Sequence, residues 1–141
     1  MNLGRELPKD VHVKGYASPP ERCMETARIV IDAQVEHGGD GGRTRPVELL
    51  GVFYSLDQMK MWKGLRESEG LADYVGRWFA GALPRDAMMP PNVAVDMIVE
   101  VLASKLMAPG ADRQLDLCVS HDMTLYTVRH HVGLEPVTGP E

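Results

Sequence analysis

The sequence predicts an α/β domain in which a mostly parallel sheet is flanked by helices. Short apolar runs are bounded by polar residues, as in Leu115–Ser120 before His121 and Asp122. Such runs are typical of strands buried on both faces. Longer segments with apolar residues every three or four positions, clearest in Asn92–Met107, predict helices. Because strands and helices alternate along the chain, a parallel sheet is favoured.

Length and composition indicate one globular domain over residues 1–141. The chain is 44% hydrophobic and 25% charged, which is ordinary for a protein with a packed core. Its net charge is −5 and it contains no basic block, so we expect no nucleic-acid partner. An anionic ligand would have to be attracted by local positive groups rather than by the overall charge.

Neither a membrane span nor a signal sequence is predicted. The apolar helical segment 93–107 carries three charged residues, and Met1–Glu6 is polar. The two cysteines, Cys23 and Cys118, are far apart and match no metal-binding spacing. We expect both to be buried free thiols, which favours a reducing, cytoplasmic location.

The first half of the chain predicts a helix end, a strand and a long helix. Leu3–Pro8 resembles the end of a helix stopped by its proline, and Val11–Tyr16 alternates as strands do. The following helix is expected to run to about His37. The glycine cluster at residues 38–42 lacks the Gly-Lys-Ser/Thr of a phosphate-binding loop, so we interpret it as a flexible connector.

A capping box is predicted where this long helix begins. Ser18 and Glu21 have the required spacing, and Pro19 lies at the favoured first helical position. The residues expected to face the core are Cys23, Ala27, Val30 and Ile31.

The middle of the chain predicts one strand and two helices. Val47–Tyr54 is apolar enough for a strand, and Ser55 with Gln58 forms a second potential capping box. Bulky residues at helical spacing over Met59–Leu65 and Leu71–Phe79 predict two helices.

His121 and Asp122 stand between the predicted strand and a final helix over Met123–Val132, which Gly133 ends. In open α/β sheets, functional groups lie at the carboxyl ends of the strands, so His121 is a candidate for chemistry and Asp122 a candidate acid. A purely structural role is the alternative, with Asp122 as N-cap of the final helix.

Arg22 is the second candidate. It lies in the first turn of the predicted long helix, where backbone N–H groups are unpaired and the helix dipole is positive. Its planar, permanently charged guanidinium suits phosphate oxygens, although an ordinary exposed arginine is the alternative. Because parallel strands end at one edge of a sheet, we expect Arg22 and His121 at the same edge.

Two segments together resemble the histidine phosphatase superfamily, which includes phosphoglycerate mutases and histidine acid phosphatases. Ser18-Pro-Pro-Glu-Arg-Cys-Met-Glu-Thr-Ala27 is similar to the Ser-x-x-x-Arg-x-x-x-Thr-Ala segment of that family. Val119-Ser-His-Asp122 resembles its later motif, in the form typical of the acid phosphatase branch. The resemblance covers most of the chain from Leu3 onward, and it implies a phosphoglycerate mutase-like three-layer sandwich.

The resemblance implies a phosphomonoester hydrolase that uses neither cofactor nor metal. Arg22 would clamp the phosphate, His121 would hold the phosphoryl group, and Asp122 would protonate the leaving oxygen. Phosphoryl transfer needs these positive groups and this proton donor. The expected partner is a phosphorylated small molecule or phosphate itself. Residues 47–91 would form the lid or specificity region, although the identity of the substrate does not follow from their sequence.

The family's nucleophile, a histidine in an Arg-His-Gly motif, has no match in this sequence. The chain begins in what resembles the helix after the nucleophile's strand, so we expect a domain truncated at both ends, without its first strand and with impaired or lost activity. The similar string Val128-Arg-His-His131 is expected on the final helix instead. A missing strand would expose a sheet edge and favour a homodimer. Two alternatives are a non-catalytic remnant that binds a phospho-ligand or protein partner, and an interaction domain without a ligand.

Overall fold

The computed structural model describes residues 3–108 and 110–134, which fall into two compact units. The first, here called the sheet unit, comprises Met1–Gly51 and Glu100–Ser120. The second, the helical unit, comprises Val52–Val99 and His121–Glu141. One domain over the whole chain stays a prediction. Residues 137–141, for which no final element was expected, lie outside the described residues.

The sheet unit contains a three-stranded parallel sheet in the order β2-β1-β3. Its strands are β1 (His12–Ala17), β2 (Asp40–Pro46) and β3 (Gln114–Val119). Its helices are α1 (Leu3–Glu6), α2 (Glu21–Glu36) and the last part of α5 (Pro91–Leu106). The predicted α/β class, with a parallel sheet flanked by helices, is confirmed.

Helix α2 packs closely on one face of the sheet. Its residues Cys23, Ala27 and Ile31 are buried, as the sequence predicts, whereas Val30 is half-buried. The contact is close because the strands present glycine beneath the helix. A Cβ atom on Gly41 would come within 2.4 Å of Cγ2 of Ile31. The small strand residue therefore sets the distance between helix and sheet.

The opposite face of the sheet carries Tyr16 and Cys118, beside the end of α5. The ammonium group of Lys105 in α5 lies 5.0 Å from the centre of the Tyr16 ring, a cation–π arrangement. Cys23 is buried, but Cys118 is only half-buried, which corrects the expectation that both thiols are buried; both are free. Burial and the charge of Asp116 raise the pKa of the Cys118 thiol, so it stays protonated and unreactive.

The predicted capping box of α2 is wrong. The helix begins at Glu21, and its N-cap residue is Pro20, which has no side-chain cap hydrogen bond. Ser18 instead continues β1, since its N–H donates to the Val119 carbonyl at 2.9 Å. The hydrogen bonding of the sheet therefore reaches Ser18, three residues before α2 begins at Glu21.

The strand after α2 lies earlier in the chain than predicted. The glycine cluster at residues 38–42 is only partly a connector: Gly38 turns the chain with φ +90°, and β2 already begins at Asp40. The predicted strand Val47–Tyr54 is absent, and a short 3-10 helix, Glu48–Leu50, occupies its start. Backbone pairing with β1, rather than side-chain hydrophobicity, makes the polar segment 40–46 a strand.

The helical unit contains the elements predicted from helical spacing. They are α3 (Gln58–Glu67), α4 (Leu71–Phe79), the first part of α5, and α6 (Asp122–His131). The proposed Ser55 cap of α3 is wrong, because the carboxylate of Asp57 accepts hydrogen bonds from the first-turn N–H groups of Met59 and Lys60. Within the described part of the chain, no helix is both long and apolar enough to span a membrane.

Candidate functional site

The two strands that precede the recognised motifs end beside each other. β1 and β3 pair in parallel over their whole length, up to Ala17 opposite Val119. The ladder continues one residue further, through the hydrogen bond from Ser18 to the Val119 carbonyl. The hydroxyl of the next residue, Ser120, donates a hydrogen bond to the carbonyl of Leu50. Both motifs therefore follow strands that end at the same edge of the sheet, the carboxyl edge, as parallel pairing requires.

Arg22 is the second residue of α2 and is exposed. Its backbone carbonyl accepts a hydrogen bond from the hydroxyl of Thr26 at 2.7 Å, one helical turn later. Ala27, the last residue of the motif, is a fully buried residue of the same helix. Thr26 and Ala27 thus have structural roles in α2, whereas Arg22 places its side chain at the first turn, where the helix dipole favours anions.

His121 and Asp122 open helix α6 in the helical unit. His121 is the N-cap residue and is half-buried, and its carbonyl accepts the N–H of Leu125 at 3.1 Å. Asp122 is exposed, and its carboxylate accepts the N–H of Met123 at 2.7 Å. The cap is therefore His121, not Asp122. Arg22 belongs to the sheet unit, so its approach to His121 stays a prediction.

A buried hydroxyl pair lies directly behind this first turn. The Tyr54 hydroxyl is 2.8 Å from the hydroxyl of Thr124, and both residues are almost completely buried, at 0% and 2% exposure. Burial raises the pKa of Tyr54 to about 12, and the charge of Asp122 also raises it. Tyr54 is therefore a neutral hydrogen-bonding group near neutral pH, close enough to Asp122 to sense its charge.

Tyr54 was not predicted as a site residue, because its apolar surroundings in the sequence indicate the end of a strand. A signal was nevertheless present in α6. Thr124 and Thr127 lie three positions apart, on one face of the predicted helix. A buried helix hydroxyl bonds either to a carbonyl one turn earlier, as Thr127 does to Met123, or to a distant polar group, as Thr124 does to Tyr54.

Tyr54 is held by the packing around it. Its carbonyl accepts the N–H of Met89 at 2.9 Å, and its ring lies 5.2 Å from that of Trp78, measured between ring centres. The indole N–H of Trp78 in turn donates to the Met89 carbonyl at 2.8 Å. These contacts fix both the backbone and the ring of Tyr54.

The string Val128-Arg-His-His131 lies in the last turns of α6, as expected. The His130 ring stacks on Phe79 with 4.4 Å between ring centres. It lies nine residues after His121, which is about 13 Å along the helix axis. The string is therefore at the far end of α6 from the His121–Asp122 turn.

Among the described residues, no cluster of three histidine, cysteine or acidic side chains is arranged to hold a metal ion. No protein-family model, curated protein or solved structure matches the chain. The resemblance to histidine phosphatases therefore depends on the two motifs and on the strands that precede them.

Proposed function

We propose that the chain is a phosphate-binding domain of the histidine phosphatase type. Arg22 and His121 hold the phosphoryl group of a phosphorylated small molecule, and Asp122 is the acid beside it. One observation carries the proposal: β1 and β3, the strands before the two motifs, pair in parallel and end side by side. In parallel sheets the residues that follow such strand ends form the ligand site.

The residue types suit this chemistry. The guanidinium of Arg22 donates two parallel N–H bonds to phosphate oxygens, which is its strongest geometry. A protonated His121 adds a second cationic donor. In the family's transfer step a histidine nucleophile forms a bond to phosphorus while the bond to the ester oxygen breaks, and Asp122 matches the residue that gives its proton to that oxygen. The phosphoryl group needs an acceptor, and the family's Arg-His-Gly nucleophile is not in this sequence. We therefore assign phosphate-ester binding, without phosphohistidine turnover, to this chain.

The proposal includes the finer architecture that the resemblance implies, a phosphoglycerate mutase-like three-layer sandwich. Its support is the placement of helices on both faces of the sheet, with α2 over Gly15 and the end of α5 beside Tyr16. A cytoplasmic location and a lid or specificity region over residues 47–91 belong to the same proposal.

Replacement of Arg22 tests the binding role. A hydrogen bond between charged groups contributes about 1.5–3 kcal/mol, so Arg22→Ala should weaken the binding of inorganic phosphate about 10-fold to 100-fold. Isothermal titration calorimetry measures the Kd. The matched control is Arg28→Ala, which removes an exposed arginine from the same helix and changes the net charge equally. Equal effects of the two variants, or no phosphate binding by the wild type at millimolar concentration, would contradict the proposal.

The alternative is a non-catalytic remnant that binds a phospho-ligand or a protein partner, and for either function the expected homodimer would form through a sheet edge. The homodimer is favoured by β3, whose six residues are all half-buried, and which pairs only with β1 among the described strands. The charged residue Asp116 in the middle of β3 opposes such pairing, because edge charges disfavour strand addition. Light scattering after size exclusion measures the oligomeric state, and a monomer at high micromolar concentration would exclude the homodimer.

A further inference from the structure

We infer that Tyr54 is a positioning residue for the phosphate site: through its hydrogen bond to Thr124 it fixes the first turn of α6, from which His121 and Asp122 project. This inference rests on the proposed function of His121 and Asp122. It adds a residue that neither motif contains and that lies 70 positions from its partner.

The bond joins two groups that have no access to water. Tyr54 and Thr124 are 0% and 2% exposed, and their hydroxyl oxygens are 2.8 Å apart. A buried hydroxyl without a partner costs about 1–3 kcal/mol. Breaking the contact would leave two such hydroxyls unsatisfied, so the pair stays together whenever the helical unit is folded.

The position of Thr124 makes this bond relevant to the site. Thr124 lies two residues after Asp122, within the first turn of α6. First turns of helices are weakly held, because their N–H groups have no partner inside the helix. Here the carboxylate of Asp122 accepts the Met123 N–H within the turn. The bond to Tyr54 supplies a fixed point for this turn from outside the helix.

Tyr54 can serve as a fixed point because it is itself anchored. Its backbone is bonded to Met89, its ring packs on Trp78, and Trp78 is bonded to the same Met89. The hydroxyl also keeps its proton over the working pH range. Burial favours its neutral form, so the bond is complete below the ordinary tyrosine pKa and is lost only as pH rises through about 12.

The experiment removes each hydroxyl with minimal change in shape, by Tyr54→Phe and Thr124→Val. The matched control is Thr127→Val, in the same helix, where a fully buried hydroxyl donates to the Met123 carbonyl at 2.6 Å. Two quantities are measured in each protein. One is the Kd for inorganic phosphate, and the other is the hydrogen-exchange rate of the Leu125 amide, which bonds to the His121 carbonyl.

We expect Tyr54→Phe and Thr124→Val each to raise the phosphate Kd about threefold to tenfold, the effect of one ordinary hydrogen bond. Exchange at Leu125 should accelerate in both. The double variant should lose no more than either single variant, since the two changes break the same bond. Thr124→Ser keeps the hydroxyl and should restore the wild-type Kd, and Thr127→Val should leave the Kd unchanged.

Two results separate this inference from the proposed function. If the wild type binds phosphate and Tyr54→Phe binds it equally well, Tyr54 has no positioning role, and the proposed function is unaffected. If Thr127→Val weakens binding as much as Thr124→Val, the effect is general helix destabilisation, which also overturns the inference. No phosphate binding by the wild type would overturn the proposed function, and this inference with it.

Discussion

At the scale of residues, some members of the candidate site can be predicted from sequence motifs, whereas others depend on contacts between distant parts of the chain. Arg22 and His121 are candidates because motif residues with a defined spacing mark them. Tyr54 was not found, because its role depends on a contact with Thr124 across 70 positions. Ser18 was misassigned as the N-cap because its spacing to Glu21 suits one, whereas α2 begins at Glu21 with Pro20 as its N-cap residue. Sequence spacing reports local hydrogen bonds and misses those that the tertiary fold makes instead.

One prediction at this scale concerns turnover. The chain should not hydrolyse an aryl phosphate above the buffer rate, because it has no Arg-His-Gly nucleophile to accept the phosphoryl group. Release of the aryl alcohol, followed by absorbance over hours, measures this. Hydrolysis that disappears in His121→Ala would contradict this prediction, because the chain would then contain a nucleophile other than an Arg-His-Gly histidine.

At the scale of elements, segments with strong periodicity were predicted within one or two residues. Helix α5 and strand β3 were expected at residues 92–107 and 115–120, and they occupy Pro91–Leu106 and Gln114–Val119. Strand β2 was missed because its sequence, Asp-Gly-Gly-Arg-Thr-Arg-Pro, has no strand character of its own. It is a strand because its backbone pairs with β1, and its glycines leave room for α2 to pack closely on the sheet. A polar edge strand of this kind is specified by its neighbours.

The close packing of α2 on β2 yields a stability prediction. Gly41→Ala would place a Cβ atom 2.4 Å from Ile31 and 2.7 Å from Val35, both stiff, branched side chains. Such overpacking should reduce the free energy of unfolding by about 1–3 kcal/mol. Urea denaturation measures the change.

The control for this prediction is Gly76→Ala in α4, where an added Cβ atom meets nothing within 4 Å. Alanine is the better helix former, so this variant should be more stable by about 0.5–1 kcal/mol. An unchanged free energy of unfolding in Gly41→Ala would show that α2 does not pack closely against this position.

At the scale of the whole molecule, the sequence predicted the fold class but not the division into a sheet unit and a helical unit. That division separates the two halves of the motif set: Arg22 belongs to the sheet unit and the His121–Asp122 turn to the helical unit. Contacts between segments distant in sequence determine such units, and composition does not record them. With a net charge of −5, the chain also has no general attraction for anions, so phosphate binding requires specific cationic groups.

The central claim is that Arg22 and His121 hold the same phosphate. Nuclear magnetic resonance of ¹⁵N-labelled protein tests it directly, by following the side-chain signals of both residues during a phosphate titration. We expect the signals of the Arg22 guanidinium and the His121 ring to shift together, with one Kd, while the Arg28 signal remains unchanged. A response of only one of the two residues, or two different Kd values, would contradict it.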